Sequence, residues 1–533
     1  MRLARAREMR QLDSAAIDQY RIPGIILMEN AGLGTVDYLL GILGPVSGKA
    51  VLLFIGPGNN GGDGLVIARR LHQLGGLPFI IYLVDPVKLK GDAAVNYHIV
   101  QEFKLPSRVI LDAETLDHFT IEDAGSASGR GLWAIIDAVF GTGLKRPLAS
   151  HFLAAVHCIN RLRAKTPGPV VAVDIPSGLN ADTGELLGAG VHADHTVTYG
   201  LAKPAHFMHG GGLSGKLHVV DIGIPSAAVA NRGLKGEVVE PDILHTFATR
   251  ELASHKGNYG HLLVLAGSAG KTGAAFLSAL GALRVGTGLV TMTVPADLRT
   301  VFDSNLYEAM TLLLPDSRKY PSIDDHSLIM ENLAGKTALV IGPGIGTADK
   351  TKELVLKLYC EAELPMVIDA DGLNILASAP ERIANPPAPR VLTPHPGEMA
   401  RLTGGSSREV QADRLSTALE FTASVNTGAA GNVTTVLKGA GTVICDPEGT
   451  WAINSSGNPG MATGGMGDVL SGIIGGLLAQ GISPHAATRA GVYVHGKAAD
   501  RLANGRHFGY LASEVADMVP CIVTDYQNKP RSK

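Results

Sequence analysis

Cysteine is scarce in this chain: four in 533 residues, Cys158, Cys360, Cys445 and Cys521. No two stand in a C-x-x-C pair, so neither zinc-knuckle spacing nor a disulfide framework is present, and a reducing, cytoplasmic setting is expected. Charge is sparse and balanced, with 18% charged residues and a formal net charge of −3. No basic excess exists to draw in a phosphate backbone, so nucleic acid is not an expected partner. No run of about 18 charge-free apolar residues escapes glycine punctuation, so no membrane span is expected. The longest candidate, 469–482, reads as a core helix. The start, Met1-Arg-Leu-Ala-Arg-Ala-Arg7, lacks an apolar signal region, and Asp13, Asp18 and Glu29 argue against an acid-poor transit peptide.

Glycine is what the chain has in plenty, 66 residues, with 45% apolar residues. The length exceeds one core, so two or more domains are expected. The glycines recur after short apolar runs, the pattern of parallel α/β sheets whose loops handle ligands. A looser stretch over 225–241 separates two such series. The expected architecture is α/β with two doubly wound domains, over residues 1–228 and 238–533.

The densest stretch is Asn454-Ser-Ser-Gly-Asn-Pro-Gly-Met-Ala-Thr-Gly-Gly-Met-Gly-Asp468, followed at once by apolar residues 469–478. A glycine loop feeding a helix start turns N–H groups and a positive dipole end toward an anion. Asp468 beside such a site would be repelled by a phosphate unless it has a task. Taking a proton from a hydroxyl that attacks phosphorus is one.

In the first half, the apolar run 50–55 leads into Gly56-Pro-Gly-Asn-Asn-Gly-Gly-Asp-Gly64 and a helix expected over 65–74. Gly56, Gly58 and Gly61 fit the dinucleotide pattern G-x-G-x-x-G, and the next strand ends in Asp85, a ribose-contact position. Asn59, Asn60 and Asp63 add side-chain oxygens suited to a ligand or a hard cation. Two further strands end in Asp137 and in Asp174-Ile-Pro-Ser177, and Gly141-Thr-Gly-Leu-Lys-Arg-Pro147 forms a second loop. Asn60, Asp137, Asp174 and Ser177 are thus expected at one sheet edge, where open α/β sheets bind ligands. Residues 8–40 show helical spacing broken by Pro23-Gly24 into two helices.

These segments resemble the epimerase domain of NAD(P)H-hydrate repair enzymes, in order over about residues 8–228. The resemblance implies a Rossmann-like fold. It implies that hydrated NAD(P)H is bound by Asn59, Asn60, Gly61, Gly62 and Asp63 and by Gly141, Thr142, Gly143, Leu144, Lys145, Arg146 and Pro147. It places Asp174 on the substrate and a potassium ion on Asn60, Asp137 and Ser177. Asp174 is the leading proton-transfer candidate, with Asp63 and Lys145 next. Thr198-Tyr-Gly-Leu-Ala-Lys203-Pro is similar to the family's last strand and turn.

In the second half, Gly270-Lys271-Thr272 invites a P-loop reading but fails on spacing, because Leu265 occupies the position of the motif's first glycine. Asp369-Ala-Asp371-Gly-Leu-Asn, Thr393-Pro-His-Pro-Gly-Glu398, Lys438-Gly-Ala-Gly-Thr442 and Gly465-Met-Gly-Asp468 resemble, in order, the ribokinase-like NAD(P)H-hydrate dehydratase domain. That resemblance implies that Ala274, Gly344, His395 and Asp468 contact the hydrated nicotinamide. Lys438, Gly439, Ala440, Gly441, Thr442 and Gly467 would hold the nucleotide. The implied reaction repairs NADH and NADPH hydrates at the expense of ADP, giving AMP and phosphate, with magnesium on the phosphates and Asp468 as base. A homo-oligomer is expected. The alternative is a small-molecule kinase fused to a non-catalytic ligand-binding module.

Overall fold

The structure, a computed structural model, describes residues 1–127, 132–208, 212–247, 250–305, 307–427 and 431–528. The last five residues of the expected second domain lie outside this set. The chain forms two compact units that adjoin in sequence between Gly236 and Glu237.

The first unit is built on seven strands: β1 (Ala50–Ile55), β2 (Leu77–Tyr82), β3 (Ser107–Val109), β4 (Leu132–Ala138), β5 (Val170–Val173), β6 (His195–Tyr199) and β7 (Lys216–Val220). They lie in the order β3-β2-β1-β4-β5-β6-β7, all parallel. The continuous apolar run of β1 is explained by burial on both faces. Val51, Leu53 and Ile55 enter one core, and Ala50, Leu52 and Phe54 enter the other. The strand order reverses between β1 and β4, which opens a crevice at their carboxyl ends.

Two helices precede the sheet, α1 (Ala6–Asp18) and α2 (Gly24–Leu43), with Pro23 at the break. Helix α2 spans 20 residues at a mean hydropathy of 1.3, a longer apolar element than 469–482. Its Leu27, Ala31, Val36 and Leu39 pack in the first core, as a core helix does. Helix α3 (Asn59–Gln73) starts six residues earlier than the sequence pattern indicated. Asn59, Asn60 and Asp63 therefore stand on a helical first turn, not in a loop. The early start follows from the missing side chains: a Cβ at Gly61 would lie 2.3 Å from Gly56 O, so only glycine lets the turn close against the strand end.

The second unit contains β8 (His261–Leu265), β9 (Leu289–Pro295), β10 (Met310–Leu314), β11 (Ala338–Ile341), β12 (Met366–Ile368), β13 (Arg390–Leu392), β14 (Val433–Leu437), β15 (Val443–Cys445) and β16 (Trp451–Asn454). Their order is β16-β15-β14-β13-β12-β11-β8-β9-β10. Strands β8 to β14 pair in parallel, and β15 and β16 add an antiparallel edge. Helix α4 (Thr272–Arg284) and helix α6 (Met466–Ala479) pack on this sheet, with the shorter α5 (Pro396–Thr403) and the long α7 (Pro484–Ala503).

Helices α4 and α6 cross at backbone distance. A Cβ on Gly472 would lie 1.9 Å from Ser278 O. Any larger residue there would force the helices apart and displace the start of α6. That start is sharp because Gly465, at φ 89°, adopts the left-handed cap conformation. Helix α6 begins at Met466, so Asp468 belongs to its first turn.

Candidate active sites

At the first sheet edge a cavity of about 540 Å³ is lined by Asn59, Asn60 and Asp63 of α3, by Gly141, Thr142, Gly143 and Leu144 after β4, and by Asp174 after β5. Asp13 and Arg10 of α1, Asp92 and, beyond β6, Lys203 add to its polar lining. Gly61 and Gly62 are absent from the lining; Gly62 packs on Met28 and Ala93 instead. Lys145, Arg146 and Pro147 are exposed and also outside it. Asp85 is a cap: it accepts from Val87 N at 3.3 Å and does not line the cavity. The position read as a ribose contact therefore lies outside this cavity.

Asp174 follows β5 directly at φ 68°, a left-handed conformation that costs a non-glycine residue roughly 1–3 kcal/mol. Its partners hold it there. Lys203 Nζ donates to Oδ1 at 2.7 Å, Thr198 Oγ1 donates to Oδ1 at 3.0 Å, and Thr142 N donates to Oδ2 at 3.3 Å. His206 Nδ1 accepts from Lys203 N at 3.1 Å, so Nε2 carries the proton and donates to Asp174 O at 3.0 Å. Burial alone would raise the Asp174 pKa, but the Lys203 ammonium outweighs it and holds the carboxyl below its ordinary value. Asp63 is shifted the other way, well upward, by burial and then by Asp174 and Asp13. Burial likewise raises Asp13 to about 6.

Asp137 and Ser177 meet beneath this cavity. Ser177 N and Oγ donate to the Asp137 carboxylate at 2.8 and 2.6 Å, and Phe140 N donates to Ser177 Oγ at 2.9 Å. Burial lifts Asp137 to about 6 against these bonds. Asn60 is the exception to good pairing: both its amide oxygen and its amide nitrogen are buried without a hydrogen-bond partner. Its oxygen and Asp174 Oδ2 face the same point, 3.1 and 2.9 Å from where a Gly141 Cβ would stand.

At the second edge the buried carboxylate is Asp369, at the end of β12. Lys438 Nζ donates to Oδ1 at 2.5 Å and Ser471 Oγ to Oδ2 at 2.6 Å. Glu398 Oε2 stands 3.8 Å from the same ammonium. Asp468 is half-buried, and among the described residues no donor reaches its carboxyl. Burial, and then the neighbouring Asp369, push its pKa to about 7, with Lys438 opposing. Gly467 lies between these groups: a Cβ there would be 3.4 Å from Lys438 Nζ and 3.5 Å from Asp369 Oδ2.

The loop from Lys438 to Thr442 is fastened from below. Buried Arg414 donates to Ala440 O at 2.5 Å and to Leu437 O at 3.0 Å, and Thr442 Oγ1 donates to Gly439 O at 3.1 Å. His395 caps α5, its Nδ1 accepting from Gly397 N at 2.9 Å, and its Nε2 lies 3.3 Å from Glu398 Oε1 on a half-exposed ring. Partial burial and the Lys438 charge lower its pKa. Gly344 and Ala274 are neighbours, a Cβ on Gly344 falling 2.9 Å from that of Ala274. Lys271 Nζ reaches Asp371 Oδ2 at 3.0 Å.

Reading the sequence by itself missed Lys203, Thr198, Asp13, Asp369, Glu398 and Ser471 as site residues. Lys203, Asp369 and Glu398 stood inside quoted motifs, but their roles depend on partners far along the chain. Among the described residues no group of three or more His, Cys, Asp or Glu side chains is placed to hold a metal ion.

Two family models match the chain, in order. One described as "YjeF-related protein N-terminus" matches residues 24–205, and one described as "NAD(P)H-hydrate dehydratase" matches residues 262–521. A bifunctional NAD(P)H-hydrate repair enzyme of Moorella thermoacetica is 39% identical over 99% of this chain and 98% of its own length. The corresponding Escherichia coli protein is 36% identical over 85% of this chain and 80% of its own. Among solved structures, an ADP/ATP-dependent NAD(P)H-hydrate dehydratase from Bacillus subtilis, co-crystallised with ATP and Mg²⁺, is 31% identical. It covers 54% of this chain and 98% of that one, at a TM-score of 0.46.

Proposed function

Since the chain belongs to the bifunctional NAD(P)H-hydrate repair enzymes, we propose that its two sheet edges carry the two reactions separately. The first interconverts the R and S hydrates of NADH and NADPH. The second dehydrates the S form at the expense of ADP, releasing AMP and phosphate.

The observation that carries the dehydratase assignment is Asp468. Among the described residues it has no hydrogen-bond or ion-pair partner, yet it lies within electrostatic reach of Lys438 at the start of a helix. Hydroxide is a poor leaving group. As the substrate hydroxyl attacks the terminal phosphorus of the nucleotide, Asp468 takes its proton, and the bond from that phosphorus to the bridging oxygen of ADP breaks to release AMP. The ring nitrogen lone pair then expels phosphate, and loss of the neighbouring C–H proton restores the dihydronicotinamide double bond. Lys438 and the amides at the start of α6 offset the charge that develops on phosphorus. The loop fastened by Arg414 holds the nucleotide, and His395, Gly344 and Ala274 border the nicotinamide. Among the described residues no cluster of carboxylates is placed to hold a metal ion, so magnesium would be carried by the nucleotide phosphates and would offset their charge.

For the first edge, the orphaned Asn60 oxygen with Asp137 and Ser177 suits a potassium ion, a large monovalent cation served by neutral oxygens and one carboxylate. Bound potassium supplies a fixed positive charge beside the substrate. Asn59, Asn60, Asp63 and residues 141–144 bind the hydrate, and Asp174 moves its proton. The scattered cysteines support a cytoplasmic setting, and family resemblance supports a homo-oligomer. The kinase alternative is not favoured, because the full-length relatives carry both halves.

Incubating the protein with an R/S mixture of hydrated NADH and ADP, and following NADH absorbance, tests the function. Complete recovery is expected. Phosphorylated product without NADH would establish a kinase and overturn the assignment. Thallium soaking tests the cation: an anomalous peak beside Asn60 is expected, and its absence removes the potassium assignment.

A further inference from the structure

We propose that Asp13, on the N-terminal helix α1, is the second proton-carrying catalytic group of the first cavity and works as the counterpart of Asp174; this rests on the epimerase assignment above. Helix α1 is amphipathic, with Met9, Leu12 and Ala16 buried, and Asp13 occupies the same inward side. A carboxyl there is costly to desolvate unless it is paired or used. It is not paired: among the described residues, nothing makes a hydrogen bond or ion pair with it. The cation that acts on it is Lys203, whose three ammonium protons are already committed to Asp174 Oδ1, Thr198 Oγ1 and Tyr199 O. Arg10, one turn earlier on α1, also lines the cavity and makes no ion pair with Asp13.

The charged groups that share this lining with Asp13 are Asp174 and Lys203 after the strands, Asp63 on α3, Arg10 on its own helix, and Asp92 from the helix Gly91–Glu102. The two carboxyls thus line one cavity with their proton affinities set apart: the Lys203 charge lowers Asp174, and burial raises Asp13 to about 6. Such a divergence between neighbouring carboxyls is what an acid–base pair requires.

The step balances as follows. Asp13 gives its proton to the substrate hydroxyl, the C–O bond breaks, and the ring nitrogen lone pair forms a C=N⁺ bond as water departs. Water then adds to the other face of the planar carbon and gives its extra proton to the Asp174 carboxylate. Exchange with solvent returns that proton to Asp13. In the opposite direction the two carboxyls exchange roles, and nothing is oxidised or reduced.

The test uses the full-length Asp13→Asn protein with purified R hydrate, following R-to-S conversion by chromatography across pH. Conversion is expected to fall by roughly 10²–10⁴-fold with KM little changed. The decline of the wild-type rate above about pH 6, where Asp13 loses its proton, should disappear. With a mixed substrate and ADP, the variant should stop once the S isomer is spent, whereas the wild type runs to completion. Asp13→Glu keeps the carboxyl and should retain turnover and the declining limb, which separates lost chemistry from lost folding. Near-normal conversion by a wild-type-active preparation of Asp13→Asn, or an Asp13→Glu protein as inactive as Asp13→Asn, overturns the role of Asp13 alone. A wild type that does not interconvert the isomers overturns the epimerase assignment, and this role with it.

Discussion

Each sheet edge buries one lysine against one aspartate, and the surroundings of the two ammonium groups differ. At the first edge Lys203 donates to Asp174, Thr198 and Tyr199 O, which uses all its protons. At the second, Lys438 makes one short contact, with Asp369, and has Glu398 at 3.8 Å. A saturated lysine acts as a fixed charge that sets the state of its partner, here lowering Asp174. An unsaturated one keeps donors for an incoming phosphate. The aspartate roles invert accordingly. In the first unit the lysine-paired carboxylate faces the cavity and is the candidate for chemistry. In the second the paired Asp369 is consumed by Lys438 and Ser471, and the unpaired Asp468 is the proposed base.

Removing the base gives the largest expected effect. Asp468→Asn should reduce ADP-dependent NADH recovery by roughly 10²–10⁴-fold. Nucleotide affinity, measured by calorimetry, should hold or rise as repulsion is relieved. R-to-S conversion should not change. Near-normal recovery would mean that the unpaired carboxylate is idle and that the comparison between the edges fails.

Next in size is the loss of a saturated lysine. Lys203→Met leaves Asp174 buried without its cation, and breaking such a pair from one side typically costs about 3–5 kcal/mol. Denaturant unfolding of the first unit should shift accordingly, and adding Asp174→Asn to Lys203→Met should restore part of the loss. If Lys203→Met unfolds like the wild type, the pair is not what fixes Asp174.

The smallest effects are opposite pH dependences of stability. The folded pKa of Asp174 is depressed, so its contribution is present above the ordinary carboxyl range and is lost as pH falls through the folded value. The folded pKa of Asp468 is raised, so its contribution is present at low pH and is lost as pH rises through about 7. Asp468→Asn should therefore stabilise the second unit above pH 7, while Asp174→Asn should destabilise the first at the same pH. Equal signs in thermal melts would contradict the different roles assigned to the two aspartates.

Much of this was legible in the sequence because parallel sheets write themselves locally. A strand buried on both faces is an apolar run, and its ligand-bearing end is marked within a few residues by glycine, asparagine or aspartate. The run 50–55, and the glycine–asparagine cluster after it, were therefore readable, as was the helix that follows Gly465. Helix starts were read late at Asn59 and Met466 because glycines there look like loop when only propensity is weighed. Close approach, Gly61 to Gly56 O and Gly472 to Ser278 O, is the tertiary reason they are helical.

The sequence by itself determined the two α/β series, the glycine-rich loop at 438–442 after a strand end and the glycine-led helix start at 465–468, and the gathering of Asn60, Asp137, Asp174 and Ser177 at one edge. Only the tertiary structure decided which carboxylates are paired and which are left free. Lys203 lies 29 residues from Asp174, and Lys438 lies 69 from Asp369. Asp13 reaches its cavity from a helix ahead of the sheet. The charge state of a buried carboxyl depends on what lies within a few ångströms, and that neighbourhood is assembled by chain crossings that no local spacing encodes.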